Sequence, residues 1–144
     1  MTTQNKSNHR RLFPPFHFVL LPILLVIIVF FTFELLVKPS NGEEAFPYII
    51  NLALSICLLI SSFLARVFAL KAQDRAIRAE ESLRHFILTG KAINPNLRLG
   101  QIIALRFASD EELIELTEKA VAENLTRDQI KSLIKNWKSD THRV

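Results

Sequence analysis

The sequence predicts an all-α protein: a membrane helical hairpin whose second span continues into a long cytoplasmic helix, followed by about three short helices. Three observations carry this. Leu12–Phe33 and Ala45–Ala65 contain no Asp, Glu, Lys or Arg. Each is long enough to cross a bilayer core, since about twenty helical residues span about 30 Å. Arg66–Val144, by contrast, is charged and amphipathic, with fourteen of the eighteen Lys and Arg and eleven of the fourteen acids. The expected divisions are a basic cytoplasmic tail (1–11), a two-span hairpin (12–66) and a cytoplasmic helical module (67–144).

In the first span, Lys6, Arg10 and Arg11 precede the apolar run as they would in a signal peptide. The run is longer than an ordinary signal core, and Phe33-Glu34-Leu35-Leu36-Val37-Lys38 offers no small-residue cleavage site, so an uncleaved anchor is expected. Pro22 removes one backbone hydrogen bond and is expected to bend this helix. His17, among Phe13, Phe16 and Phe18, reads as an interfacial ring in preference to a proton-handling group. The connector holds Lys38 against Glu34, Glu43 and Glu44, with Pro39 and the turn pair Asn41-Gly42. Basic residues flank the outer ends of both spans: Lys6, Arg10 and Arg11 before the first, and Arg66, Lys71, Arg75 and Arg78 after the second. Positive flanks stay on the cytoplasmic side, which predicts both termini there. Arg66, Lys71, Arg75 and Arg78 are candidate headgroup or partner contacts, although a solvated face is the default for Arg75, Arg78 and Arg84.

The second span repeats small residues every fourth position at Ala53, Cys57, Ser61, Ala65 and Ala69. Such a stripe lets helix backbones approach closely in lipid. It can receive the first span of the same chain or the same face of another copy, and packing within the chain is the expectation. Cys57 is the single cysteine and has no internal disulfide partner.

From Val67 to Leu88 there is neither Gly nor Pro, and Phe68, Ala72, Ala76, Ala79, Leu83 and Phe86 step by threes and fours. These six are a candidate interaction seam, to be covered by the short helices or by a second copy. A carboxylate at Leu83 would be costly if the seam is buried. Asp74 with Arg78, Glu80 with Arg84 and Glu81 with His85 form a ladder of expected pairs on the opposite face. Thr89-Gly90 ends the helix and Asn94-Pro95-Asn96 turns the chain. A short helix follows near Leu99–Ala108, with Gly100 weakening its start. Ser109 with Glu112 reads as a capping box, opening a helix that buries Leu113, Leu116, Ala120 and Val121. Thr126 with Gln129 repeats the device for a last helix through Ile130, Leu133, Ile134 and Trp137. Asn124-Leu125-Thr126 matches a glycosylation sequon, a match without meaning on the cytoplasmic side. So small a core needs a partner, a copy or the membrane to complete it.

Recognisable chemistry is missing. His9, His17, His85 and His142 are scattered, with no metal-ligand spacing. The three glycines stand alone, so no phosphate loop forms, and no nucleophile signature occurs. Asp110, Glu111, Glu112 and Glu115 read as a helix start. A concentrated basic face with aromatic platforms, as in a nucleic-acid binder, is absent. Neither span carries an ionisable group at mid-membrane, as a pump would need. The expectation is a non-enzymatic protein with no cofactor, no metal, no nucleic acid and no identified small-molecule substrate. Its partners are the lipid bilayer and a homo-oligomer or membrane complex. An anchor or accessory protein leads, and a small transporter or channel subunit, with Asn51, Ser55 and Ser62 on a pore face, is the alternative.

Asn8-His9-Arg10 with Phe16-His17, Ala69-Leu70-Lys71-Ala72-Gln73-Asp74-Arg75-Ala76-Ile77-Arg78-Ala79-Glu80-Glu81, Leu83-Arg84-His85-Phe86, and Gln101 through Glu112 together make the chain resemble a family of uncharacterised small bacterial inner-membrane proteins. That family has two transmembrane helices and a cytoplasmic helical C-terminal region. The resemblance implies a bacterial inner-membrane hairpin and transfers no catalytic residue. Gly100 departs from the helix-favouring residue expected there.

Overall fold

Among the described residues the chain follows its helical periodicity through five α-helices: α1 (Leu21–Val37), α2 (Gly42–Thr89), α3 (Leu99–Leu105), α4 (Asp110–Ala122) and α5 (Arg127–Leu133). The computed structural model describes Asn5, residues 12–37 and residues 42–140, without the side chains of 42–44. The basic tail residues Lys6, Arg10 and Arg11, with the connector residues Lys38, Pro39 and Asn41, lie outside the described residues, as do His9 and His142. Gly42, expected in a turn, is the first residue of α2. Two compact units divide within α2, one comprising Leu12–Ala69 and the other centred on Leu70–Val144.

In the first unit a π-helical segment, Pro15–Leu20, leads into α1. The Leu21 N–H donates to the Phe16 carbonyl, five residues back. Pro22 has no N–H for the Phe18 carbonyl and its ring crowds that oxygen, so a widened preceding turn relieves the clash. The irregularity expected at Pro22 therefore takes the form of a π-turn on its N-terminal side. Pro47 sits inside α2, and its carbonyl accepts from the Asn51 side-chain amide at 2.8 Å.

Buried and half-buried positions define how the two helices of this unit meet. On α1 they include Leu21, Leu24, Ile28, Phe31 and Leu35; on α2 they are Ala45, Tyr48, Leu52, Ser55, Leu59, Ser62 and Arg66. The α2 set steps alternately by three and four, and the α1 set, which also holds Ile27 and Glu34, recurs along one face with the same period. Phe16 meets Phe63 edge-on at 5.9 Å between ring centroids, and the Arg66 guanidinium lies 6.0 Å from the Phe16 ring. Leu24 and Ser55, each eight residues further along its helix from that contact, are both buried, as an antiparallel pairing requires. The small-residue stripe, expected to pack within the chain, is not covered there. Ala53, Cys57, Ser61, Ala65 and Ala69 are all exposed. A face with a 3.5-residue period, Ala45, Tyr48, Leu52, Ser55, Leu59, Ser62 and Arg66, is the one covered within the chain instead.

In the second unit, α2 stops at Gly90, whose φ of +69° is the left-handed conformation that glycine adopts without penalty. Its N–H closes onto the Phe86 carbonyl at 2.7 Å. At the turn that follows, the Leu97 N–H reaches the Asn94 carbonyl and the Asn96 N–H reaches Asn94 Oδ1. Despite Gly100, α3 starts at Leu99. Gln101 Oε1 accepts from the Arg98 N–H at 2.8 Å, and its amide donates to the Ala120 and Leu125 carbonyls. One buried glutamine thus anchors the start of α3 to the end of α4.

α4 ends in a Schellman turn with Asn124 at φ +49°; the Asn124 N–H reaches the Val121 carbonyl and the Leu125 N–H reaches Ala120. Thr126 caps α5 reciprocally with Gln129, as its sequence indicates. The core of Leu97, Ile102, Ala104, Leu105, Phe107, Ala108, Leu113, Leu116, Ala120, Leu125, Ile130 and Ile134 sits between α3, α4 and α5. Leu133 is on the surface. Trp137 is not helical: α5 ends at Leu133, and Ala108 and Trp137 form an antiparallel bridge, with the Lys138 N–H on the Phe107 carbonyl at 2.8 Å and the Ser109 N–H on the Asn136 carbonyl at 3.2 Å.

Candidate interaction surface

The part of α2 beyond Ala69 presents two different faces. Ile77, Glu81 and Arg84 recur at four and three residues and are buried or nearly so. Arg84 is the clamp. Its Nε donates to Asp110 Oδ1 at 2.7 Å, Nη1 to Glu81 Oε2 at 3.0 Å, and Nη2 to the Ala108 carbonyl at 2.8 Å. These bonds fix α2 against the loop that opens α4. The Arg84 guanidinium beside Asp110, by hydrogen bond and then by charge, holds that carboxyl below its ordinary range. The expected four-apart pairs are thus replaced. Arg84 turns to Glu81 and Asp110 instead of Glu80, and it is enclosed where solvent exposure was the expectation.

The Ser109–Glu112 capping box does not form. Ser109 Oγ makes no hydrogen bond among the described residues. The Glu112 carboxylate reaches across to accept from the backbone N–H groups of Lys135 and Asn136 at 3.1 and 3.2 Å, pinning the segment after α5. Behind it, Phe107 carries two cations: Arg106 Cζ lies 4.6 Å and Lys131 Nζ 5.4 Å from its ring centroid, with Trp137 at 5.1 Å. Arg106 and Lys131 are both buried, and Arg106 pairs with Asp140 at 3.2 Å. Interleaving of cations and rings is a structural role that spacing along the chain did not reveal.

On the other side of α2, about 150° away by helical period, lies the seam. Phe68, Ala72, Ala76, Ala79, Leu83 and Phe86 are exposed without exception. Leu83 is 60% exposed, Phe86 54% and the adjacent Ile87 72%. The short helices therefore do not fold back onto it, and Leu83→Asp would bury no charge within this chain. Lys71, Arg75 and Arg78 are exposed beside it, whereas Arg66 is half-buried near Phe16.

A cavity of ≈ 370 Å³ is lined by Ala76, Ile77, Glu80, Glu81, Arg106, Lys138, Ser139 and Asp140 among others, a mixture of acids and bases. His85 Nδ1 lies 3.1 Å from the Lys91 carbonyl, a local contact at the end of α2. Among the described residues no three His, Cys, Asp or Glu side chains cluster as metal ligands would.

The class defined by these features is an all-α protein with two helices long and apolar enough to cross a membrane, Pro15–Val37 and Ala45–Thr89, and a small helical module with one uncovered helix face. Over residues 1–144 the chain matches the family of unknown function DUF6526, and it belongs to that family. No curated protein and no solved structure matches it.

Proposed function

We propose that this protein is a non-enzymatic, two-span anchor of the bacterial inner membrane, with both termini in the cytoplasm, that displays a helical protein-binding module. One observation carries the reading: α2 commits its charged face to the module and leaves an apolar face with Leu83, Phe86 and Ile87 in the open. An exposed contiguous apolar surface on a helix is a site of association. The membrane placement draws support from the apolar side chains that α1 and the first half of α2 expose along their length, a surface suited to lipid and costly in water. Orientation draws support from the basic residues Arg66, Lys71, Arg75 and Arg78 that follow the second span.

A photo-crosslinking side chain placed at Leu83 in membranes should yield discrete protein adducts, and the same group at Asp74 should yield none. Adducts to lipid alone at Leu83 would reject the binding module. The transporter alternative draws less support. The Asn51 amide and the Ser55 and Ser62 hydroxyls each donate to the carbonyl four residues back, so these polar groups are satisfied within their own helix. Ion or solute flux in liposomes holding the purified protein would reverse that preference.

A further inference from the structure

We infer that the occupant of the uncovered α2 face is a second copy of this chain, bound in parallel and in register. This rests on the anchor reading above, because two copies inserted the same way hold their α2 helices parallel. Beyond Ala69 the exposed seam runs Ala72, Ala76, Ala79, Leu83, Phe86, spaced by four, three, four and three. That is a heptad seam, with Ala76 and Leu83 at a and Ala72, Ala79 and Phe86 at d. Small side chains near the membrane and large ones near Gly90 make a seam that is close-packed at one end and deeply apolar at the other.

Charge selects the occupant. Arg75 falls at g and Glu80 at e, five residues on, which is the offset at which g of one helix meets e of its parallel neighbour. Both residues are exposed, and neither makes an ion pair within the chain among the described residues. In a parallel pair, Arg75 of each copy faces Glu80 of the other, giving two symmetric ion pairs across the seam. An antiparallel pair would set g against g and e against e and would lose both. At the following heptad the g and e positions are Ser82 and Ile87, so the highly exposed Ile87 gains cover from the second copy. The face toward Ile77, Glu81 and Arg84 stays with the module, so pairing requires no rearrangement of the fold.

Disulfide crosslinking of the full-length protein in its membrane tests this, in a Cys57→Ser background. Ala79→Cys should crosslink to itself as a dimer, and Arg78→Cys, one residue off the seam, should not. Arg75→Glu and Glu80→Arg should each lower the Ala79→Cys dimer yield roughly tenfold, and the two together should restore it. Both reversals are at exposed positions, and an unchanged unfolding midpoint would show that the module stays folded. Equal dimer yields at 78 and 79, or charge reversals without effect, would overturn the parallel pair. Adducts at Leu83 consisting only of a different protein would overturn self-pairing while leaving the binding module standing, and a topology reporter reads the anchor independently.

Discussion

Arg84 shows how much one side chain can decide. It is 12% exposed, bonds two carboxylates and a carbonyl, and its neighbour Glu81 is buried. Arg84→Ala strands the Glu81 carboxylate in a poorly solvated place, so it should cost about 3 kcal/mol of module stability, read from thermal or denaturant unfolding of the solubilised full-length protein. Arg78→Ala, on an exposed side chain, should change the same measurement by less than about 0.5 kcal/mol. Asp110 gives a pH signature. Its carboxyl is held below the ordinary Asp value of about 4, so its contribution is present above that value and is lost as pH falls through the lower folded value. The gap in unfolding midpoint between the parent and Asp110→Asn should therefore be largest near neutrality and shrink in acid; a gap independent of pH would contradict the Arg84 pairing. Nothing in the identity of Arg84 distinguishes it from Arg75 or Arg78, because its partners Asp110 and Ala108 lie 26 and 24 residues away.

At the scale of elements, stops and starts divide into those encoded locally and those borrowed from a distant segment. Gly90 ends α2, and Thr126 with Gln129 opens α5, through atoms at most four residues apart, so these were legible. Thr126→Ala should cost about 1 kcal/mol, measurable in the same unfolding experiment. Ser109 with Glu112 has the same lettering, yet Glu112 is drawn away by two N–H groups of the chain after α5. Glu112→Ala should accordingly release that segment, with faster hydrogen exchange at Lys135 and Asn136 and little change in the helicity of α4. Unchanged exchange at those two amides would rule out the tie. Trp137 illustrates the same competition. Its spacing from Ile130 and Leu133 suits a helix, but the backbone of Phe107 and Ser109 offers a bridge, and the ring gains a place against Phe107.

For the whole molecule, the apolar runs and charge flanks lead to a topology that can be measured. A periplasm-active reporter inserted near Asn41 should function, and one fused after Val144 should not; the opposite pattern would place the module outside the cytoplasm. Sequence by itself determined the two bilayer-length helices, the uninterrupted run of α2 through Thr89, the short helices after it and the apolar seam on α2, since length, apolarity and missing helix breakers are properties of neighbouring residues. Only the tertiary structure decided which faces are covered. In the first span nearly every residue is apolar, so no periodicity marks the face that meets α2, and the Leu52, Ser55, Leu59, Ser62 face prevailed over the small-residue stripe. On α2 beyond Ala69 the charged face went inward because Arg84 found Asp110 and the Ala108 carbonyl, a pairing that exists only once the loop opening α4 has been folded against it. An apolar stripe records that a helix can be covered; which surface covers it depends on contacts made by residues far along the chain.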